Sequence, residues 1–351
     1  MRPYALALLL LTSACGSIGP KTVSRDRFDY AAAVGDSWKV QMLLNIVKLR
    51  YLDTPTFLDV QQIVAGYTLE GSAAAGWSQD GSIAQGWTFG ANGKFTDRPT
   101  LTYRPLDGAE FNKELMTPIP PFAVFFMVQM GWPVDLILRM CVQSFNGIEN
   151  RSGLGFRART ADPKFDELVA LMEKLQMRGR IGMRLKRAEG MGKDDTVIVF
   201  RAPAEEDDEP VDAGSVAELI GTDPTLTEYR IFYGTGNPGP GSIAIQSRSI
   251  LHILIELASY VSVPPEHEAD GRVVPVIQHD DETDAKPLLD IRTSSSSPSD
   301  TYVSVKYRGN WFYIDDRDLR SKRTFTFLSL LASLAETGTD QQAPMLTIPT
   351  G

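Results

Sequence analysis

The stretch SRSILHILIELASYV, residues 247–261, combines a clear helical pattern with three charged or titratable side chains at helical spacing. Ile250, Ile253, Leu254 and Leu257 recur at the three- and four-residue intervals of one helix face. The pattern predicts a helix that packs this face against the core.

The segments on both sides of this helix resemble short strands. TEYRIFY and SIAIQ precede it, whereas LLDIRT, TYVSVKY and WFYID follow it, with RGN as a predicted hairpin turn. Residues 66–104, which contain Gly76-Trp77 and Gly86-Trp87, predict a further hairpin or small meander. Because helices and strands occur in mixed order without repeated βαβ units, we predict an α+β fold of mixed helices and antiparallel β-hairpins, not a doubly wound parallel sheet.

Arg248, His252 and Glu256 follow one another every four residues within this predicted helix. A helix would place them on one face, with the imidazole between a cation and a carboxylate. Because histidine titrates near neutrality, it can act as an acid–base group where it lines a cleft. These three residues are the catalytic candidates, and the alternative is an ion-paired helix face without catalysis.

The glycine-rich segment FYGTGNPGPGSIAIQ resembles a dinucleotide fingerprint through Gly234, Gly236 and Gly239. That site requires the glycines to open directly into a helix whose N–H groups face the pyrophosphate. Pro238 and Pro240 remove two such donors, and SIAIQ reads as a strand. The segment therefore predicts a turn connection, and no cofactor is expected.

The other two histidines lie in acidic segments, which predict solvated loops. His267 is in PEHEAD with Glu266, Glu268 and Asp270, and His279 is in QHDDETD. Neither segment has paired histidines at helical spacing or a C-x-x-C pair, so no metal site is predicted. The G-x-S-x-G and H-E-x-x-H signatures of common hydrolases are also missing from the sequence.

An uncharged run extends from Leu115 to Val134. Four prolines interrupt it, and these break the helical hydrogen bonding that a membrane span would need. Its centre, PPFAVFFMVQMGW, predicts a buried helix begun by its prolines. Two alternatives stay open, which are an exposed apolar surface for a partner and a cavity for apolar ligands lined by residues 122–130.

The N-terminus has the order of a secretory signal. Arg2 supplies a positive charge, an apolar run follows from Tyr4 to Leu11, and small polar residues come next. The run Thr12-Ser13-Ala14-Cys15 resembles the lipobox of bacterial lipoproteins. The resemblance implies removal of residues 1–14, acylation of Cys15 and, with Gly16 next in the chain, anchoring in the outer membrane.

Charge restricts the partners of such a protein. The formal net charge is −9, and removal of Arg2 with the signal would make it −10. Nucleic acid is excluded as an expected partner because its phosphates require clustered Lys and Arg. Membrane attachment is expected through the lipid on Cys15, with the body on the periplasmic side rather than the cell surface.

Composition changes along the chain divide it into segments. We expect a lipidated tether over residues 15–27, an α+β region over 28–201, an acidic linker or loop over 202–214, a second α+β region over 215–338 and an extended tail over 339–351. The two α+β regions can form one domain. Cys141, which lies in LILRMCVQSF, is expected to be a buried structural thiol.

Two further segments, LLNIVKLRY and YRGNWFYIDDRD, resemble parts of uncharacterised bacterial envelope proteins. This resemblance and the lipobox-like segment point to the envelope, and the sequence contains no recognised catalytic motif. We therefore predict a non-enzymatic binding or assembly component of the envelope, acting with envelope proteins or by self-association. The alternatives are a periplasmic enzyme, such as a hydrolase, and a carrier of apolar ligands.

Overall fold

In a computed structural model, the protein is described over residues 19–78, 86–106, 109–154, 158–187, 194–200, 213–276 and 287–336. The chain forms two compact units. The first unit holds the described residues up to Trp38 together with Thr56–Leu106, and the second holds Lys39–Pro55 and the described residues after 107. Helices combined with mainly antiparallel sheets confirm the predicted α+β class.

The first helix, α1, extends over Gly19–Arg50. Residues 19–27, predicted as a tether, are therefore helical, with Pro20 in the first turn, where proline is compatible with a helix. The three- and four-residue spacing of Val40, Leu43, Leu44 and Val47 predicts one buried face near the C-terminus of α1. Leu43 and Val47 are buried as predicted, whereas Val40 is exposed and Leu44 is half-buried. The buried face is completed by Met42 and Ile46.

The remainder of the first unit is a two-stranded ribbon. Strand β1 pairs antiparallel with β4, and β2 pairs antiparallel with β3, which confirms a hairpin within residues 66–104. The bounds are Leu58–Val64 for β1, Tyr67–Ser78 for β2, Gly86–Asp97 for β3 and Thr100–Pro105 for β4.

The second unit is built on a six-stranded sheet in the order β6-β5-β10-β9-β8-β7. Its strands are β5 (Val142–Phe145), β6 (Ile148–Glu149), β7 (Ile181–Arg187), β8 (Asp194–Phe200), β9 (Glu228–Tyr233) and β10 (Ser242–Ser247). Strands from both predicted α+β regions join this sheet. Both regions therefore contribute to one unit, and residues 201–212 of the acidic run lie outside the described ranges.

The glycine-rich segment connects β9 to β10, as expected from the strand character of SIAIQ. The two strands are parallel, however, with Ser242 opposite Arg230, so the connection is a return loop and not the simple turn that was predicted. Positive φ angles at Gly236, Gly239 and Gly241 allow the loop to fold back over this short distance.

Helices flank the sheet. They are α2 (Ala109–Met116), α3 (Pro121–Gln129), α4 (Val134–Cys141), α5 (Pro163–Met177), α6 (Ala213–Leu219), α7 (Ile250–Ala258) and the short α8 (Pro265–Ala269). Helix α7 buries Ile250, Ile253, Leu254 and Leu257, as its sequence predicts. No helix in the described ranges has both the length and the apolar character needed to cross a membrane.

The C-terminal part forms a three-stranded antiparallel sheet in the order β11-β13-β12, followed by a helix. Arg308 and Gly309 both have positive φ, so the RGN segment makes the predicted tight hairpin turn. The elements are β11 (Arg292–Ser294), β12 (Thr301–Tyr307), β13 (Asn310–Asp315) and α9 (Leu319–Glu336). The predicted tail, residues 339–351, lies outside the described residues.

Candidate functional site

Arg248 lies at the junction between β10 and α7, with 1% of its surface exposed. Its Nε donates to Gln143 Oε1 at 2.9 Å, and its Nη1 donates to the carbonyl oxygen of Arg139 at 3.0 Å. Its Nη2 donates to the carbonyl oxygen of Arg151. The guanidinium thus joins the start of α7 to the end of α4, to β5 and to the segment after β6.

Glu256 lies two turns further along α7 and is also buried, at 4% exposure. One carboxylate oxygen pairs with Arg151 Nη1 at 2.9 Å, and the other accepts a hydrogen bond from the Gly153 backbone N–H at 2.8 Å. Arg151 also donates to Ser259 Oγ and lies over the Tyr260 ring, 4.8 Å from its centroid. Both Glu256 oxygens are therefore used within the fold.

His252 lies between these residues in sequence and is half-buried. Burial lowers the pKa of its imidazole, the neighbouring Arg248 charge lowers it further, and Glu256 opposes the shift. The imidazole is therefore more completely neutral at pH 7 than an exposed histidine.

The three catalytic candidates thus lie close together, but not as a surface ion-paired face. Arg248 and Glu256 are in the interior and bond to residues outside α7, because this face of the helix packs against the segment at 150–154. The partner of Glu256 is Arg151, which no sequence spacing identifies, since 105 residues separate the two. The arrangement holds elements together through charge-assisted hydrogen bonds.

A second polar cluster surrounds His267. This residue was predicted in a solvated loop but is buried on α8, and its Nδ1 lies 2.7 Å from the hydroxyl of Tyr51. Arg50, also buried, donates to the Val274 carbonyl oxygen and lies 3.4 Å from Glu268. Arg50 and Tyr51 were not predicted as members of a polar cluster, because a helix pattern does not show which distant loop a residue contacts.

A small cavity of about 270 Å³ lies between the two clusters. Arg50, Arg151, Tyr260, Glu268 and Asp290 line part of it. Its volume is slightly below the range of most ligand pockets, which begins at about 300 Å³. Residues 122–130, proposed as the lining of an apolar carrier, do not contribute to this cavity.

Helix α3 presents an apolar surface of a different kind. It buries Val124, Phe125, Met127 and Val128, as expected for a core helix begun by proline at its first turn. Its opposite face exposes Phe122 at 49%, Phe126 at 50% and, just beyond the helix, Met130 at 65%. We call these three residues the α3 stripe, and their four-residue spacing aligns them along one side of the helix.

The remaining predicted residues have simpler positions. Cys141 is fully buried at the end of α4, and burial raises the pKa of its thiol to about 12, which agrees with a structural role. In the described part of the chain, no group of His, Cys, Asp and Glu side chains could hold a metal ion. Cys15 and His279 lie outside the described residues.

Comparisons of the chain with protein-family models, curated proteins and solved structures gave no match.

Glu256→Gln is expected to lower the free energy of unfolding of the second unit by about 3–5 kcal/mol, because it removes the buried carboxylate charge that pairs with the Arg151 guanidinium. Urea unfolding monitored by circular dichroism measures this change. The matched control is Glu266→Gln on the exposed side of α8, expected within about 0.5 kcal/mol of the parent. Equal stability of the two variants would contradict a structural ion pair.

The lowered pKa of His252 predicts a pH dependence of stability. As the pH falls, the imidazole takes up a proton near pH 6.5 in the unfolded chain but only at a lower pH in the folded protein. The neutral His252 side chain therefore contributes stability above pH 6.5, and this contribution is lost as the pH falls further. Unfolding measured between pH 8 and 5 should show a smaller loss for His252→Gln than for the parent. Parallel stability profiles would rule out the lowered pKa.

Proposed function

We propose that this chain is an outer-membrane-anchored lipoprotein that acts, without catalysis, as a binding or assembly component of the bacterial envelope. Anchoring is inferred from the lipobox-like Thr12-Ser13-Ala14-Cys15 and the signal-like residues before it. Several acyl chains give stable membrane attachment, whereas one chain gives only marginal binding. The body is proposed to lie on the periplasmic side.

The α3 stripe is the observation that supports a protein-binding role. Phe122 and Phe126 are large aromatic side chains that stay about half exposed within a run that contains no charge from Leu115 to Val134. Aromatic and Met residues are enriched at protein interfaces, where they act as anchors in apolar pockets. The proposed partner is therefore an envelope protein with an apolar groove that accepts one face of a helix.

The enzyme alternative is less well supported by the same geometry. Its residues would be Arg248, His252 and Glu256, but both carboxylate oxygens of Glu256 already accept hydrogen bonds from Arg151 and Gly153. A general base must reach the proton of a bound substrate, so Glu256 would first have to leave these partners. The proposal therefore assigns this cluster to stability.

The carrier alternative would require residues 122–130 to enclose an apolar cavity. Helix α3 instead divides its residues between a packed face and the exposed α3 stripe. An exposed stripe suits a surface contact better than an enclosed ligand. Binding of another protein is thus the preferred interpretation.

Cys15→Ser is expected to abolish acylation and to shift the protein from the membrane fraction to the soluble periplasmic fraction. Mass spectrometry of the N-terminal peptide identifies the acyl groups, and immunoblotting of cell fractions gives the location. Ala14→Ser, which retains the cysteine and a small residue before it, serves as the control. An unmodified Cys15 in the parent protein would refute the proposed anchor.

Phe126→Ser is expected to reduce the recovery of the partner at least tenfold in crosslinking and affinity purification from native membranes, because it removes the central side chain of the α3 stripe. Met177→Ser, at an exposed residue on α5, is the matched control and should retain the partner. If the lipidated parent and the lipidated Phe126→Ser variant recover the same proteins in the same amounts, the α3 stripe is excluded as the binding surface.

A further inference from the structure

The four strands of the first unit form one long ribbon. Val64 pairs with Thr100 and Tyr67 pairs with Asp97, so the register of β1 with β4 continues into that of β2 with β3. Arg98 bridges the break by donating its N–H to the carbonyl oxygen of Gly66. From Leu58 to Ser78 the ribbon would extend about 65 Å at roughly 3.3 Å per residue.

The ribbon has two chemically different faces in its β2–β3 part, because alternate residues of a strand point to opposite sides. We call the first set of positions the apolar face. It pairs Tyr67 with Asp97, Leu69 with Phe95, Gly71 with Gly93, Ala73 with Ala91, Ala75 with Phe89 and Trp77 with Trp87.

The intervening positions form the polar face. They pair Thr68 with Thr96, Glu70 with Lys94, Ser72 with Asn92, Ala74 with Gly90, Gly76 with Thr88 and Ser78 with Gly86. Charge is thus almost confined to one side of the ribbon, with Asp97 at the end of the apolar face as the exception.

Nothing in the described part of the first unit covers the middle of this ribbon. Residues 70–76 and 90–95 are all exposed, and Phe95 is 53% exposed although it stacks on Tyr67. A two-stranded ribbon alone is marginally stable in water, and apolar patches of several hundred Å² usually mark a binding surface. The apolar face covers on the order of 400 Å², estimated from strand length and spacing.

The distribution of residues on the apolar face favours lipid as its occupant. Protein interfaces usually place aromatic anchors at the centre of the contact, whereas here the two central pairs are Gly71 with Gly93 and Ala73 with Ala91. Aromatic residues stand at both end positions of the strand, Trp77 at one and Tyr67 at the other, where the half-buried Tyr67 donates its hydroxyl to Asp26 of α1. Ten residue steps separate these two, about 33 Å along a strand, close to the 30 Å of a bilayer core with an aromatic belt at each interface.

We infer that the apolar face of the ribbon inserts into a lipid bilayer. This contact is additional to the acyl anchor and does not rest on acylation of Cys15. The net charge of −9 indicates that apolar burial, and not attraction to anionic headgroups, supplies the affinity. Vesicle binding should accordingly change little with salt.

Insertion into a bilayer also requires hydrogen-bond partners for the backbone at the two edges of the ribbon. In the acyl region, backbone N–H and C=O groups require hydrogen-bond partners within protein. In the described structure β2 and β3 form a sheet of two strands only, so neighbouring strands must come from elsewhere. Equal ribbons of further copies of this chain supply such strands.

The test compares two adjacent residues that lie on opposite faces. Ala73→Cys and Ala74→Cys are each introduced into full-length Cys15→Ser protein, where the remaining Cys141 is fully buried. Each is labelled with a fluorophore and reconstituted from detergent into phosphatidylcholine vesicles that contain acyl-brominated lipid. Quenching at residue 73 is expected to exceed quenching at residue 74 at least threefold, because only residue 73 contacts acyl chains.

Two results would overturn the inference. Equal quenching at both residues means that lipid does not contact the apolar face selectively, and unquenched labels with crosslinks between residues 73 of two copies mean that a second copy covers it. The substitutions Ala73→Glu and Ala74→Glu give an independent measurement, with at least tenfold less vesicle flotation expected for Ala73→Glu alone. Because every variant lacks Cys15, failure here leaves the acyl-anchor proposal untouched.

Discussion

The second unit depends on a buried charge cluster around α7. Arg248 and Glu256 lie on one helix, yet their partners come from α4, β5 and the segment at 151–153. Burial of these charges is favourable only when every strong donor and acceptor is paired, so the cluster fixes how these elements approach one another. Apolar packing of α7 holds these elements together, and the charge pairs determine their relative positions.

The two units of the chain differ in whether their apolar surface is covered within the unit. The second unit buries its apolar side chains between helices and a six-stranded sheet. The ribbon of the first unit has no second layer in its described residues, so its apolar face requires a partner outside the unit. The proposed acyl anchor and the proposed lipid contact of the ribbon would both place this unit near a membrane.

Several local features were predictable because they depend on neighbours in sequence. Asp162, directly before Pro163 in the sequence, caps α5 by accepting the Lys164 N–H at 2.9 Å, and Gly179 follows that helix with positive φ. The RGN turn is similarly local. The predicted buried face of α1 was correct for Leu43 and Val47 and wrong for Val40 and Leu44, since periodicity identifies a helix but not the direction from which the core meets it.

The sequence by itself determined the element types, the α+β class and the residues that resemble an export and lipidation signal, because these follow from local pattern and composition. Only the tertiary structure decided that Glu256 pairs with Arg151, that His267 is buried beside Tyr51 and that Phe126 stays exposed. The physical reason is that burial and charge pairing depend on contacts between residues far apart in the chain. Strand register likewise brought the alternating residues of β2 and β3 together into two continuous faces.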